Sequence, residues 1–439
     1  VIPNPTRHTQ EHTGIPRLIQ GGKFVSLPEM FFAKIPASIS ALLLFGSALA
    51  AQDQQMGART KGMGGSYTAF EDDPVSVWLN PAGIATQPDQ FAIMYQSYTG
   101  YALEIRPASF NVGAQTTMVD PPVLPGYVGM VFQIGSDESP AALGIAYARP
   151  YHLKYSFLNF SNLPEISQTM IEQSFARFRV AFAKDLAFRP AGEAGFFTHI
   201  SIGIGLDVAH EEWDLTGFED VLNDPGPPPP PSPTTTVTFT LSDNSTTLGY
   251  GAGILIGLYD NRHSFKVNLG AAFQSKAKYS FNIDRAFFPA FDMPQQINAG
   301  VTIYLLEGTP LRITMDAQWI EWNKTAEPPS PFLAGAQEFE NVVNYSVGAE
   351  YRFKVTDTAF LYVRGGGRRF DPPWKDVNNL PVTGAFLLFI DTEDDKFKIY
   401  TAGLGVSWVT EGGKVQSIDV GGDWGGDAFN IAIGYTREM

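Results

Sequence analysis

The chain has 439 residues, with 43 glycines, 33 phenylalanines and only 17% charged residues, a balance that favours one large β structure over several soluble domains. Its net charge of -15 excludes a nucleic-acid partner, because nothing would neutralise phosphates. The absence of cysteine excludes disulfides, thiolate metal sites and cysteine nucleophiles.

Residues 1–29 carry no fold signal and read as an upstream extension or tag, with Met30 as the true start. MFFAKIPASISALLLFGSALAAQ follows, with Lys34 in a short head and an apolar core from Ile39 to Leu49. Ala48 and Ala50 flank Leu49 in an A-x-A pattern, so 30–50 reads as a signal peptide cut before Ala51. The apolar run is too short to cross ~30 Å of hydrocarbon as an anchor. No other run of ~18 apolar residues occurs, so an exported chain that crosses a bilayer must do so as a closed barrel.

Next comes GMGGSYTAFEDDPVSVWLNPAGIA, from Gly62 to Ala85. It lacks the Lys-Ser/Thr end and the flanking βα unit of a phosphate loop. Asp72 and Asp73 read as a solvated or hydrogen-bonded turn before Pro74 rather than a cation site or an acid pair.

Beyond residue 90 the chain alternates with period two. In HISIGIGLDVAH, Ile200, Ile202, Ile204, Leu206 and Val208 take one face, and Ser201, Gly203, Gly205 and Asp207 the other. SFKVNLGAAFQ, QINAGVTIYL, LRITMDAQW and NYSVGAEYRF repeat the pattern. Runs of about ten residues suit tilted membrane strands, whereas soluble sandwiches use about five or six. Strands are expected near 91–98, 126–135, 141–149, 170–185, 196–211, 247–259, 263–281, 295–306, 309–322, 341–354, 357–366, 397–410, 414–421 and 427–435. The expected fold is therefore all-β, an antiparallel transmembrane β-barrel of about fourteen strands over 91–439, surrounded by outer-membrane lipid.

Connections alternate long (99–125, 150–169, 212–246, 323–340, 367–396) and short, as in outer-membrane barrels, with only 422–426 breaking the rule. PGPPPPPSP, inside 217–236, reads as a stiff extended surface spacer. Trp319 with Trp322, Tyr351 with Phe353, and Trp408 are placed as an interfacial aromatic girdle. The final FNIAIGY alternates and ends on Tyr435, like a barrel insertion signal.

No enzyme is read here. The six histidines form no HExxH or H-x-H pair, and neither a nucleophile elbow nor a phosphate loop occurs, so no catalytic residue, metal or cofactor is expected. GYGAGILIG lies inside an alternating strand, where its glycines read as smooth lumen packing. Arg177, Arg179, Lys266, Arg312, Asp316, Glu350 and Arg352 fall on the lumen face and are read as bracing the barrel in pairs rather than meeting an acidic headgroup.

With these elements assembled, GARTKGMGGSYTAFEDDPVSVWLNPAGIA, from Gly57 to Ala85, resembles the N-terminal segment of outer-membrane long-chain fatty-acid transporters (FadL/TodX family), whose relatives include PorV-type proteins of type IX secretion. The matching parts are Gly62-Met63-Gly64-Gly65, Asp72-Asp73 and Asn80-Pro81-Ala82. The resemblance implies a small helical hatch over 51–90 that plugs a fourteen-stranded barrel, and passive uptake of hydrophobic small molecules with sideways exit near the third strand. Gly62, Gly64 and Gly65 then allow close backbone approach, and Asn80 can bond the lumen through both ends of its amide. Pro150 lacks a ladder N–H, so a kink or gap is expected at Arg149, Pro150 and Tyr151, with the Asn80-Pro81-Ala82 triplet beside it, alongside the alternative that the strand ends at Ala148. A PorV-like barrel that binds secreted protein cargo is the competing reading.

Overall fold

The computed structural model describes residues 17–20, 23–26, 56–99 except 71, 125–160 except 137–138, 166–187, 194–222, 234–280 except 262, 292–324 except 309, 340–371, 397–425 and 428–439. The expected signal peptide and the proline run at 225–233 lie outside them. A short hairpin pairs Arg17–Gln20 with Lys23–Ser26. The remaining strands form one closed barrel of neighbours in chain order.

They are β1 (Gln90–Thr99), β2 (Tyr127–Gln133), β3 (Ala141–Phe160), β4 (Ile166–Ala187), β5 (Gly195–Leu222), β6 (Thr234–Asp260) and β7 (Phe265–Gln274). β8 (Gln295–Leu305), β9 (Leu311–Glu321), β10 (Val342–Lys354), β11 (Ala359–Phe370), β12 (Phe397–Val409), β13 (Val415–Gly425) and β14 (Ala428–Glu438) follow. β14 closes on β1, from Glu438 opposite Gln90 to Phe429 opposite Thr99. The expected strand count and the antiparallel closed barrel are therefore observed.

Alternation decides which face is wet. Leu206 on β5 is 73% exposed and Leu248 on β6 78%, whereas Ser201 and Asp207 on the opposite face of β5 are buried. An apolar band with no edge strand, wrapped around a polar interior, is the arrangement of a bacterial outer-membrane barrel, since every backbone group is paired and only side chains meet lipid. No helix among the described residues is long and apolar enough to cross a membrane.

Several boundaries differ from the sequence expectation. The segments 150–169 and 212–246, read as loops, are largely strand: β3 and β4 run to Phe160 and from Ile166, and β5 and β6 to Leu222 and from Thr234. Hydrophobic alternation fades there because beyond the hydrocarbon the outer face need not be apolar, while the backbone ladder continues. Threonines at 234–236, 238 and 240 suit that extension through their β-branched side chains. β7 ends at Gln274, short of 281, leaving only an isolated bridge between Ala277 and Met293. Trp322 lies in a 3₁₀ turn and is fully buried, so it is not part of a lipid-facing girdle.

The third strand does not end at Ala148. Ala148 pairs with Arg177 and Tyr151 with Phe175, so β3 carries one residue more than β4 across Arg149 and Pro150. This is a bulge, which accommodates a proline that cannot donate to the ladder.

Candidate functional site

Residues 56–89 lie against the inner wall. The five-residue helix α1 (Ala58–Gly62) follows Gly57, and Gly64 and Gly65 then turn the chain in the left-handed region, at φ 69 and 84. Asp73 accepts the Val75 N–H at 2.7 Å, an Asx turn that, with Pro74, starts the chain into α2 (Ser76–Leu79). Asn80 is extended and its Oδ1 accepts the Ala82 N–H at 3.2 Å, capping a 3₁₀ turn (Pro81–Ile84) that has proline at its first position.

The wall receives this segment on paired glycines. Gly203 faces Gly253 across β5 and β6, and Gly270 faces Gly300 across β7 and β8. Gly348 faces Gly366 across β10 and β11, and Gly403 faces Gly421 across β12 and β13. In the same order, β-carbons on these pairs would collide with Asn80 and Pro81, with Thr68, with Met63, and with Gly62 and Ala58. The chain therefore winds round the lumen against the order of the strands, in backbone-to-backbone contact that only glycine permits. On the remaining arc, Val77 and Ile84 pack over Gly144 of β3.

Charges fasten it. Glu350, fully buried, accepts Arg59 Nη2 at 2.9 Å, Arg312 Nη2 at 2.8 Å and Arg364 Nε at 2.6 Å. Arg59 also pairs with Asp72 at 2.9 Å, Arg312 reaches the other oxygen of Asp72, and Arg364 pairs with Asp419 at 2.7 Å. The Arg59 and Arg312 guanidinium groups both lie 5.2 Å from the Phe70 ring. Asp316 Oδ2 accepts the Tyr67 N–H at 2.7 Å and both the N–H and hydroxyl of Thr68 at 2.8 Å. Lys61 and Arg368 share Asp423, at 3.4 and 3.1 Å.

Beside α2, Asp207 takes Arg179 in a two-point contact at 2.5 and 2.7 Å, and Arg177 at 3.5 Å. Arg179 Nη1 donates to the Trp78 carbonyl at 2.8 Å, and Arg177 lies 5.8 Å from the Trp78 ring. Burial pushes the Asp73 carboxyl up to about 6, against the pull of Arg59 and reinforced by the charge of Asp72. Burial acts on Asp72 in the same sense, but Arg59 and Arg312 outweigh it and hold that carboxyl below its ordinary value.

The segment divides the lumen. Towards the long connections, a pocket lies between Tyr67, Trp78 and Leu79 and the wall of β7 to β11. Towards the short turns, a cavity of about 140 Å³ is lined by Arg59, Asp72, Asp73, Arg312, Arg364 and Asp419.

No family model and no curated protein matches the sequence. Solved structures do match it in shape. The P. putida toluene transporter TodX is 10% identical, with a TM-score of 0.53 over 88% of this chain and 99% of that one. A deltaS2S3 mutant of the TodX monoaromatic hydrocarbon channel gives 11% and 0.52 over 88% and 99%. This chain has the FadL/TodX fold. A Pseudomonas aeruginosa FadL homologue is 14% identical, with a TM-score of 0.47 over 87% of this chain and 96% of that chain.

Within this FadL/TodX barrel, the residues singled out by sequence fall as follows. Gly62 and Gly64 lie against wall backbone, Gly65 lines the outer pocket, and Asp72 and Asp73 line the inner cavity. Asn80 donates to the Thr68 carbonyl at 2.7 Å and to the Ile254 carbonyl on β6 at 3.2 Å, while Pro81 and Ala82 stand over Gly203. Arg177, Arg179, Arg312, Asp316 and Glu350 converge on the segment. Lys266 instead lies 5.2 Å from the Tyr304 ring, and Arg352 donates to the Gly308 carbonyl at 3.0 Å near a short turn.

Asn80 does not lie beside Pro150. It docks on β5 and β6, whereas the bulge is bonded from the other side: Arg149 N–H donates to the carbonyl of Gly126, just before β2, at 2.7 Å, and Gln96 Nε2 of β1 to the Pro150 carbonyl at 3.4 Å. Tyr151 resumes the ladder opposite Phe175. Sequence reasoning placed Asp207 on a polar strand face without a role and missed Arg59, Arg364, Asp419 and Asp423, although all but Arg59 fall on polar faces of alternating strands. The signal available was the recurrence of glycine on those same faces.

Proposed function

We propose that this barrel is a channel for passive uptake of hydrophobic compounds, long-chain fatty acids or aromatic hydrocarbons, that leave sideways through its wall. The observation that carries this reading is the shortness of β2. It pairs with β1 only up to Met94 opposite Tyr127, and with β3 only up to Ala148. Beyond that level β1 continues to Thr99 against β14, and β3 to Phe160 against β4, with no β2 residue between them among the described residues. The bulge at Pro150 lies at this level, and Gln96 bridges it from β1.

Residues 56–89 act as a hatch that blocks straight passage of hydrophilic solutes. Transport then needs no catalyst, because an apolar ligand moving towards lipid gains ~25 cal/mol per Å² of apolar area removed from water. The chain has no cysteine, so Gln96→Cys and Pro150→Cys can be joined selectively by a short bis-maleimide. In an outer-membrane host lacking its own transporter, cross-linking is expected to stop uptake of labelled oleate, toluene and p-cresol. Unchanged uptake after cross-linking sinks the lateral exit, and no uptake of any of the three compounds by the unmodified protein sinks the channel.

A further inference from the structure

The outer pocket has two unlike faces. The luminal segment contributes Tyr67, Trp78 and Leu79, and the wall contributes the carboxamides of Gln274, Gln296, Asn298, Gln318 and Asn344. Register places these amides together: Gln296 opposite Gln274, and Asn298, Gln318 and Asn344 in one row across β8, β9 and β10.

Three of the amides form a directed relay. The Asp371 backbone N–H donates to Asn344 Oδ1 at 3.1 Å, which orients that amide. Asn344 Nδ2 therefore donates to Gln318 Oε1 at 3.2 Å, and Gln318 Nε2 donates to Gln296 Oε1 at 3.1 Å. The relay ends at Gln296 Nε2. Gln296 is only 2% exposed, and this N–H group meets no acceptor among the described residues. A buried donor left unpaired is costly, and hydrogen bonds in series polarise one another, so the terminal donor is matched to an incoming acceptor.

Charge and size narrow the acceptor. The lining carboxylate Asp316 disfavours an anion, and the lining cation Arg368 is engaged by Asp423 at 3.1 Å. The enclosed part of the pocket is about 60 Å³, smaller than the ~150 Å³ cavity that holds benzene in an engineered core. It suits the polar end of a ligand whose apolar part lies along Trp78 and Leu79.

We infer that the outer pocket selects neutral, oxygen-bearing hydrophobic compounds, such as phenols, alcohols or ketones, over bare hydrocarbons and over carboxylates. This specificity rests on the channel reading above and narrows it: among the hydrophobic compounds that pass, neutral oxygen-bearing ones are held most tightly. A site built to hydrogen-bond a substrate group discriminates strongly against an analogue that lacks it, because its own polar groups are then left unpaired.

The test is calorimetric binding of toluene, p-cresol and p-toluate to the protein in lipid nanodiscs, with the same series on Gln296→Leu. p-Cresol is expected to bind at least tenfold more tightly than either relative, and Gln296→Leu to remove that preference while leaving toluene unchanged or tighter. Gln318→Leu, which interrupts the relay one step earlier, is expected to weaken p-cresol in the same sense. Toluene or p-toluate binding as tightly as p-cresol to the unaltered protein overturns the inference, as does a preference that survives Gln296→Leu. The channel reading stands in those cases if cellular toluene uptake persists. No binding by any member of the series overturns the inference, and the uptake assay then decides the channel reading separately.

Discussion

Gly253 lies directly beneath Asn80: a β-carbon on residue 253 would collide with the Asn80 Oδ1 atom. Across the ladder, its partner Gly203 makes the same room for the backbone joining Pro81 to Ala82. The inner wall is thus shaped by omission, with side chains left out where the luminal chain passes.

Gly203→Val is expected to destabilise docking of residues 56–89 by about 1–3 kcal/mol, the usual cost of overpacking against backbone that cannot yield. Because the outer face is unaltered, the barrel should still form. Liposome swelling with a small sugar reads the result: increased permeability over the unaltered protein is expected, and an equally tight pore argues against the glycine seat.

Asp316→Ala removes the acceptor shared by Tyr67 N–H, Thr68 N–H and the Thr68 hydroxyl. Stranding such donors costs about 1–3 kcal/mol each when water does not reach them. The variant should become sensitive to trypsin at Arg59 and Lys61, the latter fully buried in the intact protein. Cleavage no faster than in the parent would remove Asp316 from this role.

Glu350→Gln leaves Arg59, Arg312 and Arg364 without the carboxylate they share. Breaking a buried ionic cluster from one side costs about 3–5 kcal/mol, since the remaining charges stay buried. A lowered thermal midpoint with retained strand content is the expected outcome by circular dichroism. Simultaneous replacement of the whole cluster, Glu350, Asp72 and Asp419 with the three arginines, by apolar residues should recover much of the loss.

The Asp73 carboxyl, raised to about 6 by burial, makes docking depend on pH. Its folded value lies above the ~3.9 of an unfolded aspartate, so the docked segment holds the proton more tightly. This contribution is fully present below about pH 4 and lost as pH rises through about 6, with about 3 kcal/mol as an upper bound. Asp72 is shifted the other way: its contribution is present above about pH 4 and lost below. Hydrogen exchange over 75–80, corrected for intrinsic rates, should quicken between about pH 4 and 6, and Asp73→Asn should reduce the response.

How much of this was legible in the chain follows from what each signal depends on. Ile202, Ile204 and Leu206 announce a lipid-facing strand because pleating sends alternate side chains to opposite faces whatever the neighbours are. The strand number comes from the same local rule. The turn at Asp73-Pro74 and the cap at Asn80 are local too, needing only a few adjacent residues. The far ends of β3 to β6 were not legible, because outside the hydrocarbon the outer face loses the apolar requirement that makes a strand visible.

Tertiary structure alone decided the partners. Arg59 and Glu350 are 291 residues apart, and nothing in either neighbourhood names the other until the barrel closes and sets the height of each strand. The lumen placement of Asp316 was readable from alternation, but its grip on Tyr67 and Thr68 was not, nor was the docking of Asn80 over Gly253 rather than beside Pro150. The amide relay ending at Gln296 likewise depends on inter-strand register. Period and turn chemistry are properties of a segment, whereas contact across a lumen depends on ring closure and shear, which belong to all the strands at once.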